Sequence, residues 1–578
     1  MAKPLSFFAL LGATAALGAA LVAGHPLGSA PAVAATEQDC PNEPGLSLPP
    51  GFCATIFADN VGHARHMAVA ADGTVYVNTW YSRYFRTPPP AGGFIVALRD
   101  TDGDGKADRI DRFGTLPVSG VVAGGGTGIA IWRDGLYAEV DDRIVRYQLN
   151  PGERVPSAPP VVVLDGLSLD GDHMMHGFAI DAQGNLFVNS GSASNTCEKE
   201  NRQPGSMGQD PCPELATRGG IWRYRADATG QHFGPDGRYA TGIRNTGGIA
   251  FDAAGHLFAM QHGRDQLSQS WPALYTTDQG VRNPAEELLR VEQGDDYGWP
   301  YCYFDGTQRK LVLAPEYGGD GGHAIGRCAD KKGPVAIYPA HFAPTGLTYY
   351  AGGAFPAPYH GGLFIAFHGS WNRAPEPQDG YRIEFQPMAD GAPSGPSILF
   401  ADGFTGPGKA SGKATNRPTG VTTGLDGALY VSDDVNGRIY RIAYKGPANA
   451  SLAAASPVTY APQAAAPADG EGGPAVPPGF TADQVALGQR IYSGQARSGT
   501  CAGCHGADGK GSTLGPALTG PDWLWTDGSV ASIAHVIHEG VVTPKHYPTG
   551  MPANGGAQLS DADVQALAAY VWTFGHKP

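Results

Sequence analysis

A short apolar run, a turn built on Gly or Asp-Gly, and a second run of alternating apolar and polar residues recur along most of the chain. The unit reads HMAVAADGTVYVNT from His66, GIAIWRDGLYAEV from Gly128 and GFAIDAQGNLFVNS from Gly177. It returns as GIAFDAAGHLFAMQ from Gly248 and GVTTGLDGALYVSD from Gly420, with a looser copy, GLTYYAGGAFPAPYHGGLFIAFHG, from Gly346. Period-two alternation around a Gly turn predicts a β-hairpin. Six hairpins spaced roughly 50–100 residues apart leave room for two more strands per repeat. That layout favours a β-propeller over a β-sandwich or a β-helix. The expected fold over residues 36–445 is therefore an all-β six-bladed propeller.

The pattern stops after Lys445. Residues 446–480 are rich in Ala, Pro and Gly with no hydrophobic period, which reads as a linker. Thr481 then looks like an N-cap, and Ser560 opens a second helix with Val564, Leu567, Ala568 and Val571 at helical spacing. Residues 481–578 are expected to form a small all-α domain. Inside it, CAGCH places Cys501 and Cys504 two residues apart and His505 directly after, the spacing of covalent c-type haem attachment. His505 would be one axial ligand. Met551, in the Gly/Pro-flanked loop PTGMPANGG, is the candidate for the other, with His546 as a rival. A zinc site is the poorer reading because no fourth soft ligand follows. Residues 481–578 resemble a class I cytochrome c.

Composition narrows the rest. The 578 residues include 84 Gly and 48 Pro, only 16% are charged, and the net charge is -14. Such acidity argues against a nucleic-acid partner. Residues 1–35 carry Lys3, an apolar run from Ser6 to Gly24 and small residues at Ala32-Val33-Ala34, which reads as a secretory signal peptide. Periplasmic export follows, with membrane attachment only if the segment stays uncleaved. Export permits disulfides. The six cysteines outside the haem motif fall as sequence neighbours, so Cys40/Cys53, Cys197/Cys212 and Cys302/Cys328 are the expected pairs.

Several stretches in order mark the propeller further: LPPGF at 48, GDHMMHGFAI at 171, GIRNTGGIAFD at 242, QHGRD at 261, EELLRVEQGDDYGWPYCY at 286, HGSWNR at 368 and RPTGVTTGLDGALYVSDD at 417. Residues from about 46 to 445 thereby resemble the sugar dehydrogenases that use pyrroloquinoline quinone (PQQ), most closely the sorbosone and pyranose dehydrogenase branch. The resemblance implies His173 as the base that takes a hydroxyl proton, a task suited to histidine. His176, His262 and His368 are rivals. It implies Arg244 and Asn245 beside the reactive carbonyl of PQQ, where Arg would stabilise developing negative charge. It also implies Ca2+ at the backbone carbonyls of Gly263 and Arg264. Because PQQ carries several carboxylates, Arg373 and Arg417 are candidates to hold them. His262 and His368 are further cofactor contacts. No clear lysine stands where the soluble glucose enzymes hold the cofactor, and His368 falls near that place.

A second cation signal is DTDGDGKADRID. Asp100, Asp102, Asp104, Asp108 and Asp111 occupy positions 1, 3, 5, 9 and 12 of a calcium loop, with Gly105 at position 6. An acidic hairpin turn is the alternative. Together these features predict a periplasmic quinohaemoprotein dehydrogenase. It would oxidise an aldose, a sorbosone-like aldehyde or a related sugar and pass electrons through haem c to a downstream cytochrome or respiratory oxidase. The alternatives are a calcium-dependent propeller lactonase and a non-catalytic sugar-binding propeller with a tethered cytochrome.

Overall fold

The structure is a computed structural model that describes residues 41–576, apart from 448–474 and the short stretches 82–84, 86–89, 115–116, 119–120, 123, 375, 410–412, 495, 498–500, 507, 512–513, 521–522, 548–549 and 558. The signal segment, Cys40 and most of the linker lie outside the described residues.

Six sheets, antiparallel apart from one outer parallel pair in blade 2, follow one another around an axis, and each contains one of the six hairpins as its inner pair. In blade 1 the hairpin is Ala64–Val69 with Val75–Thr79, continued by Ile95–Arg99 and Arg109–Phe113. The inner pairs of blades 2 to 5 are Ile129–Trp132 with Gly135–Val140, Phe178–Ile180 with Asn185–Ser190, Thr246–Phe251 with Leu257–Gln261, and Pro344–Tyr350 with Gly362–Phe367. Blade 6 pairs Pro418–Thr423 with Leu429–Asp433 and adds Ile439–Tyr444. Its outermost strand is the N-terminal Phe52–Ala58, where Phe52 stands opposite Tyr444. The first and last strands of the propeller thus share one sheet and close the ring.

The local chemistry of the repeat is visible in its turns. Asp72, Asp181, Asp252 and Asp426 each accept a backbone N–H two or more residues on, from Thr74, Asn185, Ala254 and Ala428. This is the Asx-turn preference of aspartate. Near the start of the inner strands the recurrent glycine has a different reason. A Cβ on Gly128, Gly177, Gly346 or Gly420 would overlap the backbone of the next blade, at His176, Gly247, Thr419 and Arg65 respectively. In blade 1 His66 holds the equivalent place, and its Nε2 reaches the Thr345 carbonyl of blade 5 at 2.8 Å. The inner strands therefore pack backbone to backbone, and the apolar cores lie farther out between sheets.

The C-terminal part is helical. Ala482–Tyr492 and Asp561–Thr573 both begin with a capping box, Thr481 with Gln484 and Ser560 with Asp563. They cross where a Cβ on Gly488 would meet the Ala566 carbonyl, and Val564, Leu567, Ala568 and Val571 are buried in the same core. The disulfides Cys197–Cys212 and Cys302–Cys328 are present. Cys53 is disulfide-bonded, and its expected partner Cys40 lies outside the described residues. No helix among the described residues is long and apolar enough to cross a membrane.

Ring closure rests on an aromatic cluster. Phe52 meets Phe355, Tyr359 and Phe400 edge-on, with centroids 4.8, 5.3 and 4.9 Å away. Phe52→Ala should cost about 3–5 kcal/mol in denaturant unfolding. A loss below about 1 kcal/mol would show that the first strand does not hold the ring shut.

Candidate functional site

The open ends of the hairpins, opposite the Asp-Gly turns, converge on one cavity. Arg244 and Asn245 come just before Thr246–Phe251, and His262 just after Leu257–Gln261. His368 follows Gly362–Phe367, and Arg417 precedes Pro418–Thr423. These five and His173, which precedes Phe178–Ile180, all line the cavity.

His173 is anchored through one ring nitrogen. Its Nδ1 lies 2.9 Å from the Ser192 carbonyl and 3.0 Å from Ser192 Oγ. A carbonyl can only accept, so Nδ1 carries the proton and Nε2 keeps its lone pair. Burial, and then the positive charges of Arg244 and Arg202, hold the imidazole well below its ordinary pKa. Three other histidines line the space with the distal nitrogen engaged. His262 Nε2 donates to the Pro344 carbonyl at 2.7 Å, His341 Nε2 to the Gly280 carbonyl at 2.8 Å, and His368 Nε2 pairs with Asp434 at 2.9 Å. The remaining rival, His176, is tied to buried Glu139 at 2.9 Å and does not line the cavity.

The cavity is rich in guanidinium groups. Arg244 bonds the Asn195 carbonyl and side chain, the Gly263 carbonyl and Asp265. Arg202 pairs with Asp172 at 2.8 Å and Asp265 at 3.0 Å. Burial pushes the Asp265 carboxyl up, but Arg202 and Arg244 outweigh it and hold the group ionised below its usual range. Arg65 pairs with Asp434. Arg417 differs: its guanidinium donates to the carbonyls of His368 and Gly369 and makes no ion pair among the described residues. Asn372 donates to Asp265 at 2.8 Å, while its buried Oδ1 has no hydrogen-bond partner among the described residues. A cavity with a guanidinium that makes no ion pair among the described residues suits an anionic ligand.

Other candidates sit elsewhere. Arg373 does not line the cavity; it donates to the Ala340 and Pro377 carbonyls and stacks over Phe342. Gly263 lines it, and its carbonyl accepts Arg244 Nη1 at 2.9 Å, so a calcium ion there would share that oxygen with a guanidinium. The Arg264 side chain points to buried Glu316 at 2.6 Å. In the acidic loop only Asp100, Asp102 and Asp104 bring ligand atoms within 4.8 Å of one another, and no ion is present. Asp108 is turned to Thr101. Asp111, fixed in the strand Arg109–Phe113, pairs with Arg154 at 3.0 Å. The twelve-residue arrangement is thus broken where the strand begins.

A second crevice lies in the helical domain. Cys501, Cys504, His505 and Met551 line it, whereas His546 is exposed and outside. The Nδ1 of His505 donates to the Pro516 carbonyl at 2.9 Å, which leaves Nε2 as the ligand atom and fixes the ring. Met551 is held by paired backbone bonds to Val541 at 2.7 and 2.9 Å. These groups fit a haem attached by two thioethers with a His/Met axial pair.

Arg202, Asp265, Trp371 and Asn372 were not singled out from the sequence. Trp371 and Asn372 sit within HGSWNR and Asp265 within QHGRD, so the stretches were noticed but not these side chains. Arg202 lies in an irregular loop with positive φ and leaves no periodic signal.

The family model described as TrAA12-like matches residues 125–445, and the model described as cytochrome c matches residues 485–575. A pyrroloquinoline quinone-dependent pyranose dehydrogenase from Coprinopsis cinerea is 26% identical over 229 residues, which are 35% of this chain and 30% of that protein. The chain spans less than half the length of the curated relatives it matches. Among solved structures, the iodide structure of a Trichoderma reesei carbohydrate-active enzyme of family AA12 has a TM-score of 0.55 at 18% identity, covering 69% of this chain and 98% of that one. The holo pyranose dehydrogenase PQQ domain from Coprinopsis cinerea has a TM-score of 0.54 at 18% identity, covering 69% and 97%. Both share the propeller fold. With the match running over more than half of its residues, the chain belongs to the TrAA12-like family, and it carries a C-terminal cytochrome c domain.

Proposed function

We propose that this protein is a quinohaemoprotein dehydrogenase that oxidises a sugar hydroxyl or hemiacetal in the propeller cavity and delivers the electrons to haem c. The observation that carries the reading is a shared wall. Arg202, Trp371, Cys504 and Leu514 line both the propeller cavity and the haem crevice. A lactonase or a sugar-binding module has no use for that adjacency, and a two-electron to one-electron relay does.

The donor set suits PQQ. Arg417, which makes no ion pair among the described residues, can meet a carboxylate, and Arg65, Arg202 and Arg244 line the same space. When bound, PQQ supplies a two-electron acceptor for hydride from carbon. His173 Nε2 removes the hydroxyl proton of the substrate, and Ser192 keeps the ring in the productive tautomer. Arg244, held by Asn195 and Asp265, presents a fixed positive charge and needs no reorganisation during the reaction. The relatives' names favour a pyranose as substrate, and the signal segment favours the periplasm; both belong to the proposal.

Two predictions follow the division of labour. His173→Ala should lose roughly 100-fold or more of sugar oxidation, measured with an artificial dye, while still binding PQQ. Met551→Ala should keep most dye-linked turnover but fail to reduce an external cytochrome, because the thioether tunes the haem. Equal loss of dye-linked turnover in both variants would contradict the scheme. The second prediction concerns pH. His173 works only as the neutral ring, and its depressed pKa keeps that form as acidity increases. The acid limb of dye-linked kcat/KM should therefore lie at lower pH than an ordinary histidine would place it, which is about pH 6.5. A limb centred near or above pH 6.5 would remove His173 as the base.

A further inference from the structure

The helical domain sits on the propeller through a small set of contacts, and one of them has no room for a side chain. A Cβ on Gly503, inside the haem-binding turn, would overlap the carbonyl oxygen of Trp371 and come within 3.5 Å of its indole. Beside it, a Cβ on Gly556 would stand 3.1 Å from Gln266 Nε2, and the Ala553 N–H faces Gln203 Oε1 at 3.5 Å. Arg202 lies 5.9 Å from the Trp371 ring centroid and is locked by Asp172 and Asp265. The haem-binding turn and the loop after Met551 therefore both face the rim of the propeller cavity.

We propose that Trp371 and Gly503 form a docking seat that holds the Cys504 edge of the haem crevice against the propeller cavity, and that this seated arrangement is the one that passes electrons. The inference rests on the function proposed above and adds the surface that makes it work. Oxidation of one sugar hydroxyl to a carbonyl releases two electrons and two protons. A single haem takes one electron at a time, so each turnover needs two crossings, with a one-electron oxidant such as an external c-type cytochrome or ferricyanide emptying the crevice between them. Tunnelling of this kind depends on close approach, and the seat keeps the two sites apart by one shared wall. Glycine at 503 is required by that approach, since any side chain would lift the turn away from Trp371.

The test uses full-length protein loaded with PQQ and haem. Gly503→Val obstructs the seat from the cytochrome side, and Gln203→Trp obstructs it from the propeller side without touching the haem motif. Three readings are taken: the rate at which sugar reduces haem in stopped flow without mediator, dye-linked sugar turnover, and the maximum dimension by small-angle scattering. Both variants should reduce haem with sugar at least tenfold more slowly. Dye-linked turnover should stay within twofold of the unaltered protein, ascorbate should still reduce the haem fully, and the maximum dimension should increase. If Gly503→Val fails to take up haem, Gln203→Trp alone decides. A haem-reduction rate unchanged in Gln203→Trp, whatever the scattering, overturns the seat. Failure of the proposed function is a separate result, namely no dye-linked sugar turnover in the unaltered holoprotein; the scattering change would still report whether the seat exists.

Discussion

Arg202 is 7% exposed and could not be buried there unpaired. It answers Asp172 and Asp265 together, and Asp265 in turn takes Arg244 and Asn372. This one charge network ties the loop before blade 3, the entry of blade 4 and the loop after the second strand of blade 5. Removing Arg202 or Asp265 would leave a buried opposite charge without its ion-pair partner, so the loops hold one another in place. The cavity depends on it, since Arg244 is aimed by Asp265. The domain contact depends on it as well, because Arg202 packs beside Trp371, on which the haem-binding turn sits.

The inner strands explain why a site can exist at this end of the ring. They touch backbone to backbone through the recurrent glycines, so the six open ends are drawn close to the axis. Loops that would otherwise be far apart then deliver His173, Arg244, His368 and Arg417 into one space. Burial there discourages protonated imidazole. His262 and His368 are both lowered to about 4, in each case mainly by burial. The cavity's positive charge is left to arginine, which an anionic ligand can meet two-pronged.

The hairpins, the capped helices and the haem motif were legible because each is local: an Asp-Gly turn, a period, a spacing of a few residues. The neighbouring cysteine pairs Cys197/Cys212 and Cys302/Cys328 were legible for the same reason. The closing strand Phe52–Ala58 was not, because its partner lies at the other end of the propeller and no local pattern records that. Nor was the parallel pairing of Gln231–His232 with Val161–Asp165, which crosses from one repeat to another. Among the site residues, those placed at hairpin ends were readable once the family resemblance supplied an order. Arg373 was proposed from its charge alone, and an irregular loop turns it toward the Ala340 and Pro377 carbonyls. Asp111 was misplaced because a loop motif was extended into a strand, whose pleat sends the side chain to Arg154.

Under the proposed function, the propeller cavity and the haem crevice work as one electron path within a single chain. Anaerobic titration of the full-length holoprotein with sugar alone, followed by the visible haem spectrum, tests this. A reduced c-type spectrum should develop without mediator and at a rate independent of protein concentration. Haem that stays oxidised until a soluble mediator is added, in protein that turns over sugar with dye, would contradict it.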